Sequence, residues 1–202
     1  MKLLLSSENF GEYPNIRDKF LELFNKEPSK IKVLMHSTVQ KAEDKEWIKL
    51  NKKILADAGI KTENIASITT EQKISYQEAK KYDVIYFCGG DTFYLLDAIR
   101  RTGFDEIIKK FVQDPNKLYF GVSAGSIIVG PNIEVSGIGD ENEIGLKDLT
   151  GLNLIDVAIS PHYCKEEENA VKRFQKKVKY KILPLKDGQA LLVLNKKQEI
   201  VE

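Results

Sequence analysis

The 202-residue sequence carries 31 Lys and Arg against 30 Asp and Glu, a formal charge of +1 that supplies no field for gathering nucleic acid or an anionic membrane. Its 42% hydrophobic and 30% charged residues are the composition of an ordinary globular chain, which excludes a disordered or fibrous protein. A chain of this size buries roughly 70% of its unfolded surface without staples, so one domain over 1–202 is expected.

Two cysteines, Cys88 and Cys164, are too few for a disulfide framework. The stretch from Met1 to Ser7 is too short for a signal peptide's apolar segment, and no window approaches the roughly 20 apolar residues of a membrane span. A cytoplasmic protein is expected. The basic run from Lys172 to Lys181 reads as the solvated face of a helix.

In chain order, short apolar runs bounded by turn signals predict strands at Leu3 to Leu5, Ile31 to Met35, Ile65 to Ile68, Val84 to Phe87, Leu118 to Val122, Val157 to Ile159, Tyr180 to Leu183 and Ala190 to Leu194. Helical spacing intervenes, as in Ile16, Phe20, Leu23 and Phe24 and again in Trp47, Leu50, Ile54 and Leu55. Strands alternating with helices imply a three-layer α/β fold, a mostly parallel sheet with helices on both faces. Such sheets bind ligands beyond the carboxyl ends of their strands. Three predicted strand ends carry chemistry: His36-Ser37-Thr38, Cys88-Gly89-Gly90-Asp91-Thr92 and Gly121-Val122-Ser123-Ala124-Gly125-Ser126. The stretch from Pro131 to Thr150 reads as a long loop.

Gly121-Val122-Ser123-Ala124-Gly125 fits Gly-x-Ser-x-Gly between an apolar strand and a segment able to open a helix. A serine on this strained turn needs small residues two positions before and after it, and Gly121 and Gly125 meet that demand. Ser123 is thus the candidate nucleophile. The amide of Ala124 and the Gly89-Gly90 loop are the candidate oxyanion donors, with Asp91 beside them on the substrate-binding loop. A serine hydroxyl needs a base to accept its proton, and the sequence offers two histidines. His162, at the end of the strand leading to Ser160-Pro161-His162-Tyr163, is the candidate base, and His36 is placed as pocket lining. The acid completing a triad is sought between Ser123 and His162: Glu134, Asp140, Glu141, Glu143 and Asp148 lie there, and Asp140 and then Glu141 are the expected members.

Together these motifs, with Gly130-Pro131-Asn132-Ile133, resemble the peptidase E family of aspartyl dipeptidases, over most of the chain and most strongly from Val84 to Tyr163. The resemblance implies a flavodoxin-like sheet related to class I glutamine amidotransferases and a single serine peptidase domain. It also implies a Ser-Asp/Glu-His triad acting on short peptides that begin with aspartate. Acyl transfer by such a set needs no cofactor, and nothing in the composition calls for a metal. Lys165, Lys172 and Arg173 are candidates to hold the aspartate side chain. No nucleic-acid or membrane partner is expected, and the chain is open to forming a homodimer. The same turn would also serve a cyanophycinase-like amidase or an esterase. A relative that binds a small ligand without catalysis is the alternative of a different class.

Overall fold

The computed structural model describes residues 1–38, 43–195 and 197–202. The chain begins with β1 (Lys2–Ser6), whose alternation sends Leu3 and Leu5 into one apolar cluster and Leu4 into another, the signature of a strand covered on both faces. Pro14 opens α1 (Pro14–Glu22), which buries Ile16 and Phe20, whereas Leu23 and Phe24 lie just beyond its end. β2 (Val33–Ser37) and α2 (Glu43–Asp57) follow, then β3 (Ile65–Thr69), α3 (Tyr76–Ala79) and β4 (Val84–Phe87). Next come α4 (Thr92–Thr102), α5 (Phe104–Phe111), β5 (Leu118–Val122) and the single turn α6 (Ala124–Ile127). The chain ends with β6 (Val157–Ser160), α7 (Glu168–Gln175), β7 (Lys181–Pro184), β8 (Ala190–Leu194) and β9 (Lys197–Val201).

Seven strands form one sheet in the order β3-β2-β4-β5-β1-β8-β9. β1 to β5 are parallel, while β8 runs antiparallel to β1 and β9 antiparallel to β8. The mostly parallel α/β sheet with two covered faces is therefore present, with one apolar cluster gathering residues from α4, α5 and α6 and the other from α1 and α2. Two details differ from expectation. β6 and β7 pair in a separate two-stranded parallel sheet, and β9, whose Lys-Gln-Glu sequence carries no apolar run, completes the main sheet's edge.

A helical stripe on α2 is met only in part. Leu55 is buried, but Trp47 and Leu50 remain 37% and 44% exposed. They line, with Phe10, Tyr13 and Ile54, a groove of about 500 Å³ between α2 and the loop after β1. The indole N–H of Trp47 instead donates to the Cys88 carbonyl at 2.7 Å, tying α2 to the loop after β4.

Candidate active site

The order β4-β5-β1 sets three carboxyl ends side by side, and their register matters. Phe87 pairs with Gly121, and Val122 pairs with Ser6, so the next residue of each strand lies at the same rim. Ser123 follows β5 with φ 50° and ψ −114°, a left-handed backbone that costs a non-glycine residue of order 1–3 kcal/mol. The surrounding bonds hold it. Its amide donates to the Ser6 carbonyl at 3.0 Å, and its own carbonyl accepts from Ser126 N at 2.8 Å. The Ser126 hydroxyl, 2.8 Å from both Ser6 O and Gly121 O, fastens the start of α6 to two strands.

The glycine requirement read from the motif has a geometric cause. A Cβ on Gly121 would meet the Gly125 carbonyl oxygen at 2.4 Å, and one on Gly125 would meet Phe87 Cβ at 2.5 Å. Both distances lie inside hard-sphere contact, so strand and helix approach as they do only without those side chains. The helix itself is shorter than the motif suggests. At four residues it has little macrodipole, and any charge stabilisation must come from individual amides.

The Gly89-Gly90 loop lies beside this turn. Gly89 has φ 95° and its Cβ position lies 3.7 Å from Ser123 Cβ, while Gly90 has φ 117° with Thr38 where a Cβ would stand. Thr38 Oγ1 donates to Gly89 O at 3.3 Å and Trp47 holds the preceding carbonyl, so two neighbouring elements pin the loop. Asp91 caps α4, its carboxylate accepting from the Tyr94 amide at 2.6 Å. Burial, opposed by that bond and followed by the nearby Asp140 carboxylate, raises its pKa.

His162 joins Ser123 although β6 lies outside the main sheet. Its Nε2 is 2.9 Å from Ser123 Oγ and its Nδ1 is 2.8 Å from Asp187 Oδ1. A carboxylate can only accept, so Nδ1–H donates to Asp187 and the serine hydroxyl donates to Nε2. His162 also has a positive φ of 55°. Its amide donates to Ser7 Oγ at 2.6 Å, and the amide of Tyr163 donates to Leu185 O at 3.0 Å.

The acid beside the imidazole is thus neither residue expected. Asp140 accepts from the hydroxyl and amide of Thr92 at 2.6 and 3.2 Å, fastening the 139–150 loop to the start of α4, and Glu141 is exposed. The chain order is Ser, His, Asp, with Asp187 in the turn from β7 to β8. Because β8 is antiparallel to β1, its first residue pairs with Ser6, and the turn before it falls on the rim where Ser123 lies. Two signals could have found it: Asp187 is the sole carboxylate between Phe174 and Leu194, and Asp-Gly between two apolar runs marks a turn at a strand end. Ser7, which has no motif at all, was also missed.

His36 lines no pocket at this site. It is buried against Phe87 and Phe104, with ring centroids 4.6 and 5.0 Å away, and burial lowers its pKa to about 3. Lys172 pairs with Glu168 one turn away on α7. A small cavity of about 90 Å³ opens beside Ser123 and His162, walled by Ile127, Val135, Asp140 and Glu167. No Lys or Arg lines it among the described residues. Glu8, His162 and Asp187 form one group of potential metal ligands, their atoms within 4.8 Å of one another. An ion there would compete with the hydrogen bonds that His162 makes to Asp187 and Ser123. No helix of the described residues is long and apolar enough to cross a membrane.

A mostly parallel α/β sheet carrying a strained serine at a strand end, within bonding distance of a histidine that an aspartate orients, is an arrangement found among hydrolases. The chain belongs to peptidase family S51, whose family model matches residues 2–201. It is 32% identical over 165 residues to the uncharacterized peptidase Lmo0363 of Listeria monocytogenes, covering 74% of this chain and 75% of that one. A peptidase E from Shewanella sp. is 34% identical over a shorter stretch of 87 residues, 43% of this chain and 36% of the relative. The crystal structure of a Listeria monocytogenes EGD-e protein assigned to peptidase E superposes with a TM-score of 0.81 at 26% identity, covering 98% of this chain and 96% of that one. The expected peptidase E resemblance and flavodoxin-like fold are thus met, and the chain is a peptidase.

Proposed function

We propose that the chain is a serine peptidase of short peptides, in which Ser123, His162 and Asp187 act as nucleophile, base and orienting acid. The observation that carries this reading is the pair of bonds on His162, 2.9 Å to Ser123 Oγ and 2.8 Å to Asp187 Oδ1. Ser123 Oγ would bond to the peptide carbonyl carbon as its proton passes to Nε2. The imidazolium then gives that proton to the departing amine as the C–N bond breaks. Water, deprotonated by the same imidazole, releases the acyl group and restores the serine. The oxyanion would rest on the amide of Ala124, which follows Ser123, and on the Gly90 amide of the loop whose Gly89 lies beside Ser123. No step calls for a cofactor.

Dipeptides with an N-terminal aspartate are the first substrate class to try, on the peptidase E resemblance. A second reading, for peptides with a neutral or cationic first residue, is favoured by the Asp140 and Glu167 carboxylates on the wall of the cavity beside Ser123. Like charges in a small site repel, and a free α-ammonium would be welcome there. A panel of Asp-Leu, Ala-Leu, Lys-Leu, a β-aspartyl peptide and a p-nitrophenyl ester separates these readings. Hydrolysis of the ester alone would remove the peptidase mechanism. Turnover of Lys-Leu well above Asp-Leu would remove the aspartate preference.

A further inference from the structure

The acid and base of the site are both largely exposed, with side-chain exposures of 47% for Asp187 and 44% for His162. Exposed side chains on loops do not hold one geometry by packing. What fixes them is two consecutive residues at the end of β1. The Ser6 carbonyl accepts from Ser123 N and from Ser126 Oγ, which fixes the elbow. Ser7 is fully buried, and its hydroxyl accepts from the His162 amide at 2.6 Å while donating to Asp187 Oδ1 at 2.8 Å. Its own amide donates to Gln189 O at 3.1 Å, two residues from Asp187. Three loops that are far apart in sequence therefore converge on Ser6-Ser7.

The oxygen that Ser7 engages matters. Asp187 Oδ1 is the same atom that receives His162 Nδ1–H. The Ser7 hydroxyl therefore selects which carboxylate oxygen faces the imidazole. Its bond to the His162 amide also ties down a residue whose backbone is left-handed. One hydroxyl thus locks base and acid relative to each other and to the strand beside Ser123.

We propose that Ser7 is a positioning residue that sets the His162–Asp187 geometry through its hydroxyl; this rests on the reading of Ser123, His162 and Asp187 as the reacting set. Misplacing reacting groups by about 1 Å costs roughly a hundredfold in rate. Ser7→Ala should accordingly lower kcat by about tenfold to a hundredfold with KM changed little, and the downfield proton signal of His162 Nδ1–H should weaken or vanish. Ser7→Thr, which keeps the hydroxyl, should recover most of the loss.

The decisive experiment is a double-mutant cycle with Asp187→Ala on the full chain, using the best peptide of the panel above and checking folding by circular dichroism. If Ser7 works through Asp187, removing its hydroxyl costs little more once Asp187 is gone. An equal loss in both backgrounds, or an unchanged kcat and proton signal in folded Ser7→Ala, overturns the proposal. Should Ser7→Ala not fold, Ser7→Cys, nearly the same shape and a weaker donor, enters the same cycle with a smaller loss expected and the same overturning outcomes. Failure of the underlying reading looks different: Asp187→Ala or Ser123→Ala alone would then keep full activity.

Discussion

The two halves of the site are built in opposite ways. The elbow from Gly121 to Gly125 is local and close-packed: its backbone bonds are short-range or run to the adjacent strand, and a Cβ on either glycine would meet its neighbours at 2.4 or 2.5 Å. The turn carrying Asp187 is exposed and holds its place through a buried hydroxyl 180 residues away in sequence. A nucleophile on a strained turn demands rigidity at one atom, whereas an acid has only to reach an imidazole, and many loops at the sheet's rim could supply it. The first solution leaves a motif and the second does not.

The largest effect should come from the rigid half. Ser123→Ala, which removes one hydroxyl from a fully bonded turn, should lower turnover at least a thousandfold with the fold intact. It should also abolish labelling by a fluorophosphonate probe; labelling of the folded variant at wild-type rate would move the nucleophile elsewhere.

The exposed half is tested by comparing carboxylates. Asp187→Asn preserves shape but withdraws the charge that stabilises the imidazolium and fixes its tautomer, and about a thousandfold loss in kcat is expected. Asp140→Asn and Glu141→Gln should each cost less than about tenfold, since Asp140 is engaged with Thr92 and Glu141 points to solvent. A reversed ranking in steady-state kinetics would return the acid to the 139–150 loop.

Packing sharpens the contrast further. Gly125→Ala places a methyl against Phe87 Cβ and should lower stability to denaturant by about 1–3 kcal/mol or prevent folding. Gly188→Ala, at φ 85° against the Tyr13 ring, strains the acid's turn, so its activity should fall more than its stability. Equal stability losses at the two glycines would show that the acid's turn is as integral to the core as the elbow.

The smallest effect lies in the core beneath the site. Burial lowers the His36 pKa to about 3, so between that value and about 6.5 the unfolded chain binds a proton that the folded chain does not. Stability then falls as pH drops through this window, by roughly 2 kcal/mol from pH 6.5 to 5. His36→Phe should flatten the pH dependence of the denaturation midpoint between pH 7 and 5; an unchanged slope would remove His36 as its source.

Much of this protein is written locally. Apolar runs four or five residues long between turn signals are too short for ordinary helices and fit strands covered on both faces, and β4, β5 and β8 begin and end where those runs do. The glycine spacing around Ser123 is legible because its cause, backbone approach across a single turn, acts over five residues. His162 could be read because a serine nucleophile needs a base and the sequence holds two histidines, of which this one ends an apolar strand; that its strand pairs with β7 outside the main sheet was not legible.

Tertiary structure decided the rest. The apolar runs at β6 and β7 mark strands but carry no signal for which strand each pairs with, and they form a separate parallel pair. Asp187 lies beyond His162, outside the stretch in which the sequence reading sought the acid, and it reaches the imidazole because the antiparallel register of β8 on β1 carries its turn to the rim. Ser7 has no pattern that marks it, because a single hydroxyl acquires its role only when three distant loops meet at it. Hydrogen bonds between residues far apart in sequence leave no periodicity behind, and in this site they determine which carboxylate faces the imidazole.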